Sequence, residues 1–493
     1  MPSLPFDLRS IDRQALFYDP DMSEAVRKPG MATSKKANHL CALGQRGMAG
    51  NHLEVQTLLN LPQTHLNYLA TALQDRYNDG ELIVLACRSN PGSLTYDGVE
   101  VGAERVAKEI EDMLEELSRD GNKITRFSIV GYSLGGLVAR YAIGLLYHKR
   151  CFENITPVNF TTFVTPHLGV RTPLRGYPNH LWNVLGARTL SKSGRQLFTI
   201  DKFRNTNRPL LSVLADPDSI FIHALGKFQH RSLYTNIVND RSAVYYTTGI
   251  SKTDPFANLE KLNIHYQKGY ESVILDPDHP CDLLPEQELP TFYQRFRTSS
   301  RTFLRRTPIF LALAVLIPIA TVAFLANSCV QTFRSRRRIR LHETGDQRTG
   351  FSAIPYMVRE MRVGLEDAFE NVNAAQQQDY LPEGSEEMAE EPESPSALVN
   401  PSTESLVSEK SDTPLLRRHT STSDKPSAFP TLALTPAQFA MIKALDDVGF
   451  RKYPVHIHKS SHSHAAIIVR TPRAAFEEGK RVVKHWLENE FHI

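Results

Sequence analysis

Hydrophobic and polar positions follow two alternating periods along residues 37–290. Short apolar runs predict buried strands, and the segments between them carry apolar side chains at the three- to four-residue spacing of amphipathic helices. This strand-helix alternation is typical of a mostly parallel sheet flanked by helices, so the predicted fold class is α/β. The predicted strands are residues 81–87, 125–130, 160–164 and 234–238, and the predicted helices are residues 103–117 and 134–147.

A different pattern covers residues 291–340, where no acidic residue occurs and ten arginines flank an apolar run at 309–330. A helical membrane span needs about 20 apolar residues, so this run is long enough to cross a bilayer. Five arginines stand on each side of it, whereas a single span normally carries its positive charges on one side. With Pro318 near the middle, the symmetry favours a membrane hairpin that enters and leaves by the same face. The alternative is a buried core helix.

Shifts in composition predict the remaining boundaries. The first 36 residues lack the apolar core of a secretory signal, and the stretch rich in Glu, Ser and Pro has too few apolar side chains to repay its ordering entropy. Order resumes at Thr435, a helix N-cap followed by Pro436, and that helix should end near Gly449. A strand, a loop, a second strand and a helix should follow. The predicted segments are a poorly ordered extension (1–36), an α/β domain (37–290), a membrane segment (291–340), an amphipathic helical region (341–375), a disordered linker (376–430) and a final part of the α/β domain (431–493).

Composition excludes several classes of protein. The chain has 493 residues, 41% of them hydrophobic, which is too apolar for a disordered or fibrous protein. Its net charge of +3 gives no electrostatic reason to expect a nucleic-acid partner. Five scattered cysteines without metal or redox spacing indicate reduced thiols in a cytosol-facing protein. They are Cys41, Cys87, Cys151, Cys281 and Cys329.

The sequence G-x-S-x-G stands at residues 131–135, directly after an apolar β run and directly before a helical segment. A serine on so tight a strand-to-helix turn needs glycine neighbours, because side chains there would collide with the adjoining strand and helix. This context predicts that Ser133 is a nucleophile.

A serine nucleophile needs a base and a carboxylate that orients the base, in the chain order Ser, acid, His for this architecture. Asp240 follows a predicted strand and begins a loop, which is where the acid should lie. The alternative for Asp240 is an Asx turn or a surface ion pair with Arg241. The histidine cluster at 456–464 offers the base, and we select His464, on the loop before an apolar run, over His462. Metal binding by the cluster is the alternative, although no Cys or carboxylate is interleaved.

Six separated motifs together resemble the fungal serine esterase and lipase family of the α/β-hydrolase superfamily, which includes lipid-droplet phospholipases and monoacylglycerol lipases. The resemblance implies an α/β-hydrolase fold, Ser133 as nucleophile, Asp240 as acid and His464 as base. It also implies an oxyanion donor at the Leu134 backbone N–H, lipid ester substrates and no metal or cofactor. His167 resembles a loop residue near the site, with a structural role equally open. The motifs are residues 96–105, 131–141, 163–169, 239–241, 334–340 and 462–470.

One departure from this family concerns the second oxyanion donor. In relatives, the run resembling residues 39–43 continues into a His-Gly motif whose backbone N–H contributes to the oxyanion hole, and residues 44–64 here contain no such pair. Losing one donor costs about 10²- to 10³-fold in rate. We hypothesise a mis-spliced gene sequence at 44–64, which a confirming cDNA would overturn. Alternatively, Gly44, Gly47 and Gly50 supply substitute amides.

Position along the chain also constrains the membrane segment. It lies between Asp240 and His464, so a single span would separate acid and base into two compartments. We therefore expect a monotopic hairpin on the cytosolic face of a lipid droplet or the endoplasmic reticulum, with arginines on anionic headgroups. The expected function is a membrane-associated serine hydrolase of glycerolipid acyl esters. The alternatives are a catalytically impaired lipid-surface protein and a soluble esterase of small molecules.

Overall fold

The computed structural model describes the chain from residue 39 onward in several stretches. The chain divides into two units, Met1–Lys35 and Lys36–Ile493, and every described residue belongs to the second. The described residues are 39–44, 66–77, 81–87, 89–90, 92–171, 191–240, 243–284, 333–334, 337, 379–381 and 429–493.

A six-stranded sheet, parallel throughout, is the centre of the fold. Its strand order is β2-β1-β3-β4-β5-β8, and each neighbouring pair is parallel. Two further short strands, β6 and β7, form a separate antiparallel pair. The strands are β1 His39–Gly44, β2 Leu82–Ala86, β3 Arg126–Tyr132, β4 Thr156–Phe163, β5 His230–Asn236, β6 Leu262–Ile264, β7 Cys281–Leu283 and β8 Arg451–Val455.

Helices cover both faces of this sheet. Two of them, α2 and α3, correspond to the predicted helices, and α2 extends four residues before the predicted start. The remaining helices are mostly short and follow the strands. They are α1 Asn67–Arg76, α2 Val99–Arg119, α3 Leu134–His148, α4 Lys192–Leu197, α5 Leu210–Leu214, α6 Ile220–Gly226, α7 Tyr245–Thr248, α8 Pro436–Val448, α9 Ser463–Ala466 and α10 Glu477–His485.

Alternate side chains along the strands enter two different cores. Ile129 of β3 packs with the helices on one face, in a cluster that contains residues of α2, α3 and α8. Its neighbour Val130 packs on the other face, with residues of α1 and α10. This period-two alternation is the geometry of a strand, and burial on both faces explains why the strands read as continuous apolar runs. The architecture is an α/β fold consistent with an α/β hydrolase.

The N-terminus of α8 forms as the sequence predicts. The Thr435 hydroxyl accepts a hydrogen bond from the Gln438 N–H, and the Thr435 N–H donates one to the Gln438 side-chain Oε1. This reciprocal capping box satisfies two donors that a helix start leaves open. Pro436 occupies the first turn, and Gly449 with φ of 83° ends the helix.

One prediction for the last part of the chain is wrong. The apolar run that follows His464 was expected to be a strand, but Ser463–Ala466 is the short helix α9 and no strand follows it up to Ile493. Short apolar runs do not distinguish a buried strand from a buried helical turn by periodicity alone. His464 accordingly lies in a helix and not in the loop predicted for it.

The segment predicted as a linker begins and ends on the folded domain. Tyr380 forms an antiparallel bridge with Leu432. The Leu381 backbone N–H donates to Thr431 at 3.0 Å, and that of Ala433 donates to Asp379 at 2.9 Å. Residues 379–381, inside the predicted linker, therefore pair with the chain just before α8. The rest of the predicted linker, 382–428, lies outside the described residues.

The predicted membrane hairpin also lies outside them. Of residues 291–340, the structure describes only Phe333, Arg334 and Arg337, and the predicted amphipathic helical region and N-terminal extension are not described. Across the stretches that are described, no helix combines the length and apolarity needed to span a bilayer.

Candidate active site

Ser133 occupies a sharp turn between β3 and α3. Its φ of 53° and ψ of −128° lie in a region that non-glycine residues rarely adopt, and such backbone strain is concentrated at functional sites. Two glycines make the turn possible. A Cβ on Gly131 would lie 2.3 Å from the Gly136 Cα, and one on Gly136 would lie 2.1 Å from the Thr165 Oγ1.

Backbone and side-chain hydrogen bonds hold this turn in place. The Ser133 N–H donates to the Phe163 carbonyl at 2.9 Å, which ties the turn to the end of β4. The Ser133 carbonyl accepts from the Thr165 hydroxyl and from the Gly136 N–H, each at 3.0 Å. The serine hydroxyl is thereby presented at the carboxyl edge of the sheet, where ligands bind in open α/β sheets.

Asp240 follows β5, two strands along the sheet from Ser133. Its Oδ1 accepts a hydrogen bond from the Ala243 N–H at 2.9 Å, and its Oδ2 accepts one from the Asn236 amide at 3.1 Å. Both oxygens also lie within 3.0 Å of the His464 Nδ1. Asp240 is therefore buried and hydrogen-bonded to His464, and it is not at the surface as an exposed ion pair would require.

The surroundings of Asp240 act on its pKa in opposite directions. Burial alone would raise the pKa of this carboxyl. The charge of His464 and hydrogen bonds from His464, Ala243 and Asn236 lower it, and the net result is a pKa below the ordinary value of 3.8. The carboxylate is therefore ionised at neutral pH.

His464 completes the arrangement from α9. Its Nε2 lies 2.9 Å from the Ser133 Oγ, while its Nδ1 lies 2.8 Å from the nearer Asp240 oxygen. Because the Nδ1 faces a carboxylate, it carries the proton, and the Nε2 is free to accept the proton of the serine hydroxyl. Ser133, Asp240 and His464 are 4%, 8% and 6% exposed, so bulk water has little access to these bonds.

The structure thus brings together the three residues selected from the sequence. Such an arrangement can activate the serine hydroxyl for attack on an acyl carbon, with the histidine as general base and the carboxylate as its orienting group. Their catalytic roles stay a prediction.

One of the two expected oxyanion donors, the Leu134 N–H, lies among the described residues. Leu134 is the first residue of α3, so its N–H has no partner within the helix and lies one residue after Ser133. The second donor was expected from the segment after β1. That strand ends at Gly44, in register with Gly131, so the chain leaves β1 close to the nucleophile. Residues 45–65, with Gly47 and Gly50, lie outside the described part of the chain.

The remaining histidines take other positions. His462 is exposed at the start of α9, while His456 and His458 stack with ring centroids 3.6 Å apart. His167 is fully buried with its Nε2 on the Thr162 hydroxyl, and burial, followed by the charge of Arg140, lowers its pKa well below 6.5. These contacts point to a structural role for His167. No group of three or more His, Cys, Asp or Glu among the described residues could hold a metal ion.

Two further residues that support this site were not predicted from the sequence. Asn236 orients the carboxylate of Asp240, and Tyr132 donates a hydrogen bond from its hydroxyl to the His464 carbonyl at 3.0 Å. Both had a sequence signal that could have found them. Asn236 stands four residues before the acid at the end of a strand, and Tyr132 directly precedes the nucleophile.

A buried serine, histidine and carboxylate in one hydrogen-bonded chain, at the edge of a parallel sheet, is the arrangement found in serine hydrolases of the α/β class. Residues 34–253 match the family described as "Putative serine esterase (DUF676)". The match covers a little less than half of the chain. The match includes Ser133 and Asp240 but ends before His464.

Similar yeast proteins carry lipase names. The chain is 29% identical over 235 residues to "Putative lipase ROG1" of Saccharomyces cerevisiae, which covers 47% of this chain and 31% of that protein. It is 30% identical over 163 residues to "Putative lipase C4A8.10" of Schizosaccharomyces pombe, covering 31% of this chain and 20% of that protein. "Putative lipase YDL109C" of S. cerevisiae is 29% identical over 180 residues, 36% and 26% of the two chains. The chain therefore matches about a third or less of the length of each of these relatives.

Proposed function

We propose that this protein is a serine hydrolase that cleaves acyl esters of glycerolipids through an acyl-enzyme. The observation that carries the proposal is the continuous hydrogen-bonded path from the Ser133 Oγ through His464 to Asp240, with distances of 2.9 and 2.8 Å. The lipase names of the yeast relatives support an ester of a lipid as substrate.

In the first half of the reaction, the Ser133 Oγ attacks the carbonyl carbon of the ester while its proton moves to the His464 Nε2. The negative charge on the former carbonyl oxygen faces the Leu134 N–H, at the positive end of the α3 dipole. Asp240 stabilises the imidazolium that forms. The tetrahedral intermediate collapses, the bond to the alcohol oxygen breaks, and His464 gives its proton to that oxygen. The alcohol leaves and the acyl group stays on Ser133.

The second half repeats these steps with water. His464 takes a proton from a water molecule, whose oxygen attacks the acyl carbon. The new intermediate then releases a fatty acid as Ser133 takes back its proton from His464. No group beyond these residues and water is needed to balance the reaction.

Labelling of Ser133 tests this proposal. A fluorophosphonate probe, located by tandem mass spectrometry, should form an adduct on Ser133 in the wild type and none in Ser133→Ala. The matched control is Ser212→Ala, which removes a buried hydroxyl without a hydrogen-bond partner in α5 and should label like the wild type. Wild type and control should also release fatty acid from long-chain monoacylglycerol or phospholipid vesicles.

The absence of an adduct on folded wild type would contradict the proposal. It would favour the alternative, a lipid-surface protein that keeps the fold but lacks a working oxyanion hole, which the missing His-Gly pair motivates. Replacing residues 44–64 by a segment with that pair and repeating the labelling would then distinguish an inert protein from a faulty gene sequence.

Membrane association by a hairpin is the second part of the proposal. The Leu284 N–H donates to the Lys261 carbonyl and the Leu381 N–H donates to the Thr431 carbonyl, so the chain lies on the domain both at residue 284 and at residue 381. A segment that starts and ends on one domain must cross a bilayer an even number of times or not at all. A hairpin in the apolar run satisfies this condition. Its ten flanking arginines would lie on anionic headgroups on the cytosolic side of a lipid droplet or the endoplasmic reticulum.

Protease accessibility in sealed membranes measures this topology. Tags at both termini should be digested in intact vesicles, and the protein should resist carbonate extraction. Deletion of residues 309–330 should move it to the supernatant. Protection of only one tag would contradict the hairpin, and release of the wild type by carbonate would favour a soluble esterase.

A further inference from the structure

Tyr132 links the nucleophile strand to the catalytic histidine. It is the last residue of β3, directly before Ser133, and its side chain is fully buried. The hydroxyl donates to the main-chain carbonyl of His464 at 3.0 Å, and the two rings are 5.3 Å apart with their planes tilted by 45°. Two hydrogen bonds therefore join the turn after β3 to the helix that carries His464: the bond between the Ser133 Oγ and the His464 Nε2, and the bond from the Tyr132 hydroxyl.

The helix that carries His464 needs such external support. It has four residues, Ser463–Ala466, and a helix this short is not stable by itself in water. It comes from the last part of the chain, 331 positions after Ser133. The Ser463 hydroxyl donates to the Val238 carbonyl at 2.9 Å, which ties the helix to the loop before Asp240. The Tyr132 bond ties the same helix to the nucleophile side.

We propose that Tyr132 is a positioning residue that sets the distance between the His464 Nε2 and the Ser133 Oγ. The inference rests on the proposed hydrolase function. Tyr132 is fixed at its backbone by the central sheet, so its hydroxyl presents a fixed donor to α9. With Ser463 holding the acid side, the imidazole is aligned with Asp240 and Ser133 at once. A displacement of about 1 Å between reacting groups can cost about 100-fold in rate.

Tyr132→Phe tests this role, because it removes the donor and keeps the ring that packs against His464. We expect the rate of fluorophosphonate labelling, and kcat on a soluble short-chain ester, to fall about 10- to 100-fold. KM should change less than about twofold, since the variant leaves substrate-binding surfaces in place. The low-field NMR resonance of the His464 Nδ1 proton should broaden or disappear, which reports the His464–Asp240 bond without any substrate.

The matched control is Tyr141→Phe. Tyr141 is also buried, but its hydroxyl accepts a hydrogen bond from Arg204 and its ring packs against Phe203 and Phe221. This control should keep the wild-type labelling rate and the His464 resonance. All rates are expressed per folded protein, determined by near-ultraviolet circular dichroism, so that a loss of folded material does not count as a loss of positioning.

Ser463→Ala provides a second variant on the same helix. Loss of the Ser463 hydroxyl should also lower kcat. The effects of Ser463→Ala and Tyr132→Phe should not be additive, because both hydrogen bonds position the same imidazole, that of His464. Wild-type rates and an unchanged resonance in Tyr132→Phe, with Ser133 labelled in the wild type, would overturn the positioning role alone. No labelling of wild-type Ser133 would overturn the proposed function and the positioning role with it.

Discussion

Asp240 shows how single residues around the site define its chemistry. A buried carboxyl is ordinarily harder to ionise, but this one faces His464 and accepts hydrogen bonds from Ala243 and Asn236. These contacts lower its pKa and also fix the direction of both oxygens. The Asn236 amide can reach the Asp240 carboxylate because Asn236 ends β5 and Asp240 follows it by four positions.

Asp240→Asn should lower kcat about 10³- to 10⁴-fold at neutral pH, because an amide no longer holds His464 in the tautomer that accepts the serine proton. Steady-state kinetics with a soluble ester would measure this loss. The matched control is Asp446→Asn, which removes a half-exposed ion pair with Lys452 and should stay within about twofold of the wild type.

The lowered pKa also predicts a pH dependence of stability. A carboxyl whose pKa is lower in the folded state contributes stability above its unfolded value of about 3.8, and this contribution is lost as the pH falls through the lowered folded value. Urea unfolding of wild type and Asp240→Asn should therefore show a gap in free energy near pH 6 that narrows below about pH 3.8. A constant gap over this range would contradict the assignment.

At the scale of elements, the sequence predicts what local periodicity encodes. Helix α3 and strands β2 to β5 were found within a few residues because the apolar spacing and the glycine elbow are local signals. Helix α8 was found from Thr435, Pro436 and Gly449, each of which acts on the helix end at which it stands.

The errors concern elements whose form depends on distant parts of the chain. The apolar pattern does not predict β1, nor β6 and β7, which have three residues each. The run after His464 was expected to be a strand, but Ser463–Ala466 forms a short helix. This helix is held by residues more than 200 positions away: Ser463 donates a hydrogen bond to Val238, and the His464 carbonyl accepts one from Tyr132. Ser133, Asp240 and His464 were selected correctly as neighbours in space because motif order, unlike local periodicity, carries information about the whole fold.

At the scale of the whole molecule, the pairing of Tyr380 with Leu432 joins two points that are far apart in sequence. The Leu381 N–H donates a hydrogen bond to the Thr431 carbonyl, so the described residues on either side of the segment 382–428 lie close together on the domain. Contacts of residues 429–493 with the domain hold His464 beside Asp240.

Excision of residues 382–428, with a short Gly-Ser connection in their place, should preserve the labelling rate of Ser133 within about twofold. Closing a shorter loop should raise the free energy of unfolding by about 1 kcal/mol, measured in urea. The control is excision of residues 379–428, which also removes the pairing with Thr431 and Ala433 and should lower stability. Loss of labelling in the first variant would show that the excised segment takes part in forming the site.

His464 stands in the last part of the chain, 224 positions after Asp240, to which it is hydrogen-bonded. At about 5 to 20 residues per second, translation of that interval takes roughly 10 to 45 s. The nascent protein thus contains Ser133 and Asp240 but not yet His464 while residues 291–340 emerge from the ribosome. Under the proposed function, hydrolytic activity would begin only after β8 has added to the edge of the sheet beside β5, and therefore only after the predicted membrane segment has been synthesised.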